Sequence, residues 1–224
     1  MQDKAPRWCD LSGFRGACSR SESRIPVSRL GESTSRCLLE KHPADLIVLS
    51  TSKRDGRIPW LGKSVAEPLT RKAEEMTLLI PGDVKGFVSA EDGSVNLKKI
   101  LIPVARTPRP EPALKAAARI VRKFDCSEGT FMVMHVGTSN TMPALQFPEV
   151  PGWTWEKELR TGEVIDGIVK AAKDFEADLI VLATDGRNGF LDGLRGSHSE
   201  RILRYGVAPL LTVPVGSRIS RYLT

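Results

Sequence analysis

The chain has 224 residues, of which 41% are hydrophobic and 27% charged, and it carries a formal net charge of +6 at pH 7. This is the composition of a globular protein of one or two small domains. No apolar run approaches the roughly 18 residues of a membrane span, and no basic run is interleaved with aromatic residues. The sequence therefore argues against a membrane protein and does not favour nucleic-acid binding.

The cysteines and the amino terminus bear on the compartment. The N-terminus has no continuous apolar segment of the kind found in signal peptides. The four cysteines are widely spaced and form no Cys-x-x-Cys pair: Cys9, Cys18, Cys37 and Cys126. This pattern favours reduced thiols in a cytoplasm, with neither a zinc site nor a disulfide framework.

The first part of the chain holds few predicted elements. Residues 1–30 are rich in Ser, Arg and Gly, show neither helical nor strand periodicity, and are predicted to be an irregular tail. The elements that follow are a helix at 31–42, a strand at 45–51, a helix at 64–75 opened by the capping-box pattern Ser64-Val-Ala-Glu67, and a strand at 76–80. Residues 86–97 are predicted to form a hairpin around Glu91-Asp92-Gly93.

The second part alternates strands with helices. The predicted strands are 99–105, 129–136, 154–160, 178–184 and 210–215, and the predicted helices are 112–124, 163–175 and a capped helix from Ser197 to about Tyr205. The interior strands are continuous apolar runs, such as LIVLA and FMVMHV, which is typical of a sheet covered on both faces. The sequence predicts an α/β fold with an open, doubly wound, five-stranded parallel sheet.

One strand occurs twice. Ala44-Asp-Leu-Ile-Val-Leu-Ser-Thr51 matches Ala177-Asp-Leu-Ile-Val-Leu-Ala-Thr184 at seven of eight positions, at a spacing of 133 residues. Such a match indicates an internal duplication of about one small-domain length. The first copy is incomplete, because residues 1–30 cannot supply the strands and helices that precede the second copy.

The loop after the second copy carries the features of an anion site. Gly186 is followed after nine residues by Gly196 and Ser197, and Ser197-His-Ser-Glu200 is a capping-box pattern. A glycine before a helix N-terminus lets free backbone N–H groups approach a phosphate. Alternatively, Ser197 only caps the helix and the glycines only shape turns. The first repeat lacks this spacing, since Lys53 stands where Gly186 stands in the second.

The densest part of this pattern, ADLIVLATDGRNGFLDGLRGSHSERILRYGVAPLLTVPV, resembles the universal stress protein family. Nucleotide-binding members of that family carry Gly-x2-Gly-x9-Gly-(Ser/Thr) after the fourth strand. The resemblance covers about residues 97–216 and implies an adenine-nucleotide α-hydrolase-like fold that binds ATP, with Mg as a companion ion. It places these positions at the nucleotide: Val104, Ala105, Val136, Ala183, Thr184, Gly186, Gly196 and Ser197.

Two positions depart from the family pattern. Ala183 replaces the first glycine of the motif, and Ala105 replaces an Asp that usually ends the first strand and contacts the nucleotide. Arg106, the next residue, could meet a phosphate or point to solvent. His135, before Val136, is interpreted as a packed histidine and not as a catalytic base.

The resemblance also predicts organisation and pairing. The expected units are a tail at 1–30, a truncated universal-stress-protein-like half domain at 31–85, a hairpin linker at 86–97, a complete domain at 97–216 and a tail at 217–224. Family members associate through the last strand, which here runs from Leu210 to Val215, with its counterpart from Met76 to Ile80. These strands are predicted to pair as an intrachain pseudo-dimer, or else to mediate a homodimer.

Three functions remain open from the sequence. The first is a stress-response regulatory protein that binds an adenine nucleotide at the C-terminal domain. The second is an interaction or scaffold protein of the same family that has lost ATP binding, as Ala105 and Ala183 suggest. The third is an enzyme of the wider α-hydrolase-like class, for which only Asp185 and Asp192 stand near the phosphate loop. The expectation is a non-enzyme with at most weak ATP hydrolysis.

The loop at 137–153 is long and contains three prolines, and two interpretations of it stay open. In one it is a lid over the site, with Trp153 or Trp155 as its cover. In the other both tryptophans pack on the sheet edge.

Overall fold

The computed structural model describes residues 46–51, 76–82, 84–185, 202–203 and 205–215. Seven strands form one sheet, in the order β1-β2-β7-β6-β3-β4-β5. The strands are β1 (Leu46–Thr51), β2 (Met76–Pro81), β3 (Lys99–Pro103), β4 (Gly129–Val136), β5 (Trp153–Arg160), β6 (Leu179–Thr184) and β7 (Leu210–Pro214). Two helices are described, α1 (Glu111–Lys123) and α2 (Val164–Asp174).

The C-terminal five strands form the parallel sheet that the sequence predicts. Every neighbouring pair in the order β7-β6-β3-β4-β5 is parallel. The predicted bounds of these strands agree with the structure to within one residue, except that β3 ends at Pro103, two residues before the predicted Ala105. The α/β fold class is therefore confirmed.

The two helices cover opposite faces, as a doubly wound sheet requires. Leu114 and Val121 of α1 pack with Ile100 and Val181 in one apolar cluster. Ile165 and Ile168 of α2 pack with a second set of strand residues on the other face, including Leu101 and Ile180. Because successive side chains of a strand alternate between faces, continuous apolar strands supply both clusters at once.

No helix lies between β4 and β5, and the connecting loop instead covers part of one face of the sheet. Its buried Val150 and its partly buried Met142, Leu145 and Phe147 pack against the α1 side of the sheet. Trp155 stacks on Phe131 at a ring-centroid distance of 4.1 Å and on Phe147 at 4.8 Å.

The two tryptophans lie far from the predicted site. Trp153 pairs with Gly129 at the amino end of the strands, and its Nε1 donates a 2.9 Å hydrogen bond to the carbonyl of Cys126. Both tryptophans therefore pack on the sheet near the amino ends of β4 and β5, whereas Thr184 lies at the carboxyl end of β6. The interpretation of either as the cover of a lid is wrong.

The first copy of the repeated strand extends the sheet beyond β7. β1 pairs in parallel with β2, and β2 pairs antiparallel with β7. This intrachain pairing of the Met76 and Leu210 strands is the one predicted from the sequence. The hydroxyl of Thr212 reinforces it, donating a 3.2 Å hydrogen bond to the carbonyl of Thr77.

Several predicted elements are only partly visible or fall outside the described residues. The predicted helices at 31–42 and 64–75 lie outside them, as does most of the predicted helix at 197–205. The predicted hairpin at 86–97 is present as a turn with one antiparallel bridge between Val88 and Val95. The division into domains stays a prediction.

The aspartate of the repeated motif has a visible structural role. Asp178 lies just before β6, and its carboxylate accepts hydrogen bonds from the backbone N–H groups of Lys98 and Lys99, both at 2.8 Å. The backbone N–H of Asp178 donates in turn to the carbonyl of Lys99 at 2.8 Å. These three bonds join the starts of β6 and β3.

Candidate functional site

The sheet has a topological switch point between β3 and β6. From β3 the chain moves outward through β4 to β5, then returns to the other side of β3 as β6 and continues to β7. The connections after β3 and β6 therefore leave in opposite directions, which opens a crevice at the carboxyl ends of these two strands. In open α/β sheets this crevice is where ligands bind.

Thr184 ends β6 at this crevice and holds an unusual hydroxyl. The residue is 8% exposed, and its Oγ1 has no hydrogen-bond partner among the residues that the structure describes. Its backbone is satisfied, because the N–H of Val215 donates to the Thr184 carbonyl at 2.6 Å. A buried hydroxyl without a partner costs about 1–3 kcal/mol, so proteins keep few of them.

Val104 follows β3, and both its N–H and its carbonyl are hydrogen-bonded to residues of β4. Its N–H donates to the carbonyl of Met134 at 2.8 Å, and its own carbonyl lies 2.9 Å from Nδ1 of the buried His135. A carbonyl can only accept, so Nδ1 carries a proton and donates. The position of Val104 is therefore fixed by the histidine that precedes Val136.

The other ring nitrogen of His135 is also engaged. Nε2 lies 2.9 Å from the hydroxyl of Thr141, which sits in a turn closed by hydrogen bonds between Thr138 and Thr141. With both nitrogens bonded, His135 holds the loop after β4 against the end of β3. This supports the interpretation of His135 as a packed histidine.

Gly137 lies between β4 and that turn, in a conformation with φ of 150°. A Cβ at this position would come within 2.6 Å of the Thr141 hydroxyl and 2.7 Å of His135 Nε2. Only glycine both adopts this backbone and leaves room for the histidine–threonine pair.

The loop after β3 places two arginines at the crevice. Arg106 is exposed and donates a 2.7 Å hydrogen bond from Nη2 to the carbonyl of Asn140, in the loop after β4. Arg109, also exposed, lies two residues before α1. Arg106 thus bonds to a neighbouring loop and does not simply point to solvent, and its other N–H groups can still donate to an anion.

The remaining predicted positions differ in their surroundings. Ala105 is exposed at the end of the first strand of the unit. Ala183 is partly buried and packs against the α1 side of the core. Val136 is partly buried on the other side, where it faces α2 closely: a Cβ on Gly167 would lie 3.0 Å from Val136 Cγ2.

The structure thus brings five of the predicted positions to the carboxyl ends of β3, β4 and β6: Val104, Ala105, Val136, Ala183 and Thr184. Gly186, Gly196 and Ser197, together with Asp192, lie outside the described residues. Sequence reasoning missed the bonds of Thr141 and Asn140 with His135 and Arg106. No local pattern signals these bonds, because their partners come from different loops.

Metal-ligand groups and membrane-spanning helices can be assessed in the described part of the chain. No group of three or more His, Cys, Asp or Glu side chains there is arranged to hold a metal ion. No helix there is long and apolar enough to cross a membrane.

Comparison with known sequences gives one family. The model of the universal stress protein family matches residues 148–214, a segment that contains β5, α2, β6 and β7. No curated protein sequence matches the chain.

Comparison with solved structures supports the fold. A universal stress protein from Archaeoglobus fulgidus DSM 4304 is 16% identical with a TM-score of 0.58, over 81% of this chain and 64% of that one. The chain thus spans a little under two thirds of that protein. A protein of unknown function from Pseudomonas aeruginosa PAO1 is 13% identical with a TM-score of 0.53, over 86% of this chain and 70% of that one.

A third structure, a universal stress protein in complex with cAMP, is 14% identical over 53% of this chain and 97% of that one. Its TM-score of 0.39 is too low to support an argument about ligands.

Proposed function

We propose that this chain, a member of the universal stress protein family, is a regulatory protein that binds an adenine nucleotide, with ATP and Mg as the expected pair, at the carboxyl ends of β3, β4 and β6. The observation that carries the proposal is the hydroxyl of Thr184 at the switch point, which is buried and has no partner in the described ranges. A bound ligand would give that hydroxyl the partner that these residues do not supply.

The charges around the crevice agree with a phosphate ligand. Arg106 and Arg109 are both exposed in the loop after β3. The family resemblance assigns the phosphates to the loop of Gly186, Gly196 and Ser197, where glycine backbone and a helix N-terminus favour anions. Thr184 lies two residues before Gly186 in the sequence, so its hydroxyl fits a role beside that loop.

The hydrogen bonds from His135 support a preorganised site. They hold the end of β3 and the loop after β4 in one arrangement without help from a ligand. A site whose walls are already fixed loses less conformational entropy on binding. The nucleotide base would then meet a rigid wall formed by the ends of β3 and β4.

Calorimetric titration of the full chain with Mg-ATP tests the proposal. Wild-type protein should release or absorb heat, whereas Gly196→Val should bind at least tenfold more weakly because its side chain blocks the approach of a phosphate. Ser197→Ala should weaken binding less. Absence of heat up to millimolar Mg-ATP refutes the proposal, and full binding by Gly196→Val would move the site elsewhere.

One observation favours the alternative, a scaffold protein of the same family that does not bind nucleotide. Ala105 presents an exposed methyl group where nucleotide-binding members have an aspartate, so the adenosine side of the site lacks one hydrogen-bond acceptor. The same titration decides between the two functions. A scaffold protein that does not bind nucleotide gives no heat of binding with Mg-ATP, either as wild type or as a site variant.

A further inference from the structure

The pairing of β2 with β7 relates the two copies of the repeat by a local twofold axis. The sequence offset of 133 residues equates Leu78 with Leu211, and these two residues are direct cross-strand partners. On either side of them, Thr77 pairs with Thr212 and Leu79 with Leu210. In an antiparallel pair this symmetric register places the axis at the Leu78–Leu211 pair, perpendicular to the sheet.

The same offset holds for the neighbouring strands. Ile47 pairs with Thr77 in the first copy, and Ile180 pairs with Leu210 in the second. Each residue of the second pair stands 133 positions after its counterpart in the first pair. β1 and β2 are therefore the counterparts of β6 and β7 in register as well as in sequence.

The symmetry ends at the outer edge of β1. β6 has β7 on one side and β3 on the other, and both neighbours are parallel to it. β1 has β2 on one side, and no strand of the described residues pairs with its other side. The axis places the counterpart of β3 at that edge.

Exposure of the side chains marks the same difference. Leu179 and Val181 of β6 are 0% exposed and pack in the cluster that contains α1. Their counterparts in β1, Leu46 and Val48, are 39% and 54% exposed. Apolar residues that are buried in one copy thus face solvent in the other, on a strand that carries no charged side chain. An uncharged edge strand with exposed apolar residues is open to pairing with another chain.

We propose that the outer edge of β1 and the face formed by Leu46 and Val48 are a docking surface for a segment of another polypeptide, which adds a parallel β-strand and the amphipathic helix that follows it. The chemistry of this segment follows from the second copy. The strand resembles β3, with two lysines followed by an apolar run, and the helix resembles α1, whose buried face is rich in alanine.

The aspartate of the motif joins β6 to β3 in the second copy. Asp178 accepts the backbone N–H groups of Lys98 and Lys99 at the start of β3. The first copy has the same residue type at the equivalent position, Asp45, which lies outside the described residues.

A folded second copy of this chain does not supply such a segment. Its β3 already pairs with β4 and β6 inside its own sheet. Of the described strands, a second copy could offer only its outer strands β1 and β5, and the helix that follows β5 already packs on its own sheet.

Binding of a probe to the full chain tests the proposal. The probe is the segment 97–124 of this chain, which contains β3 and α1, fused to a soluble carrier protein. The chain is compared as wild type, as Val48→Lys on the proposed surface, and as Leu159→Lys, the control. Leu159 is 46% exposed on β5, the opposite edge strand.

The expected result is binding by wild type and by Leu159→Lys, with at least a tenfold loss of affinity in Val48→Lys. Hydrogen exchange should then show new protection of β1 amides in the complex. No binding by the wild type, or equal binding by Val48→Lys, overturns the proposal. It is also overturned if the β1 amides that do not pair with β2 are already protected in the free chain, or if the free chain dimerises in a way that Val48→Lys abolishes.

Discussion

The carbonyl of Thr184 accepts a 2.6 Å hydrogen bond from the N–H of Val215, while the hydroxyl of the same threonine is buried and has no partner in the part of the chain that the structure describes. Strand pairing thus satisfies the backbone at the end of β6 and leaves the side chain unsatisfied. The same residue joins the fold to the proposed site, because under the proposal a bound ligand would offset the cost of this hydroxyl.

Thr184→Val is therefore expected to separate stability from binding. Removal of a buried, unpaired hydroxyl should leave the free energy of unfolding unchanged or raise it by about 1 kcal/mol. Affinity for Mg-ATP should fall about tenfold, because one hydrogen bond to the ligand is lost. Thermal melting and calorimetry measure the two effects.

Thr212→Val is the matched control. Thr212 is also buried, but its hydroxyl donates to the carbonyl of Thr77, so this variant should lose about 0.5–1.5 kcal/mol of stability. If Thr184→Val destabilises the chain as much as Thr212→Val does, the hydroxyl of Thr184 has a partner within the protein.

Ala105→Asp is expected to strengthen nucleotide binding. The family resemblance implies an acceptor at this position, and Ala105 is exposed, so a carboxylate there stays hydrated in the free protein. A gain of about threefold to tenfold in affinity corresponds to one added hydrogen bond of roughly 1 kcal/mol. Ala105→Leu is the control for side-chain size, and equal affinities for the two variants would contradict the assignment.

Gly137→Ala should destabilise the chain and loosen the loop after β4. The variant imposes both an unfavourable φ, costing about 1–3 kcal/mol, and a clash with the His135–Thr141 pair. Gly162→Ala is the control, because Gly162 also has a positive φ of 107° but no atom within 4 Å of the added Cβ. Urea unfolding should show the larger loss for Gly137→Ala, and limited proteolysis should cut its loop faster. Equal losses would show that the clash relaxes without cost.

Asp178→Ala should cost about 2–3 kcal/mol of stability, because two backbone N–H groups lose a charged acceptor at the start of β3. Glu176→Ala is the control, since Glu176 only forms an exposed ion pair with Lys99, and such pairs contribute about 0–1 kcal/mol. Chemical denaturation compares the two variants. A similar small loss in both would contradict the role assigned to the aspartate.

The stability of the turn between Val88 and Val95 should decrease at low pH. Hydrogen bonds from the side chain of Ser89 and from the backbone and side chain of Ser94 lower the pKa of Asp92 from 3.8 to about 2. Because the folded pKa is the lower one, the stabilisation is present above about pH 4 and is lost as the pH falls through about 2. NMR titration of the carboxyl carbon of Asp92 measures this pKa. Ser89→Ala should raise that pKa, and an unchanged value would contradict the assignment.

Much of the fold follows from local pattern. Continuous apolar runs such as Leu179–Thr184 predict buried parallel strands, and the amphipathic stretch at Glu111–Lys123 predicts a helix. The prediction of the site depended instead on the spacing of Gly186 and Gly196 and on the family resemblance. The lid interpretation of the tryptophans failed because aromatic content says nothing about which end of a strand a side chain occupies.

By itself, the sequence determined which of the described segments are strands and helices, that one strand is repeated, and which family the chain resembles. These properties depend on periodicity and on the order of residues along the chain. Only the tertiary structure decided that the hydroxyl of Thr184 has no partner among the described residues, that His135 joins Val104 to Thr141, and that Leu46 and Val48 are exposed while their counterparts are buried. The physical reason is that hydrogen-bond satisfaction and burial depend on neighbours distant in sequence, which are set by strand order and register.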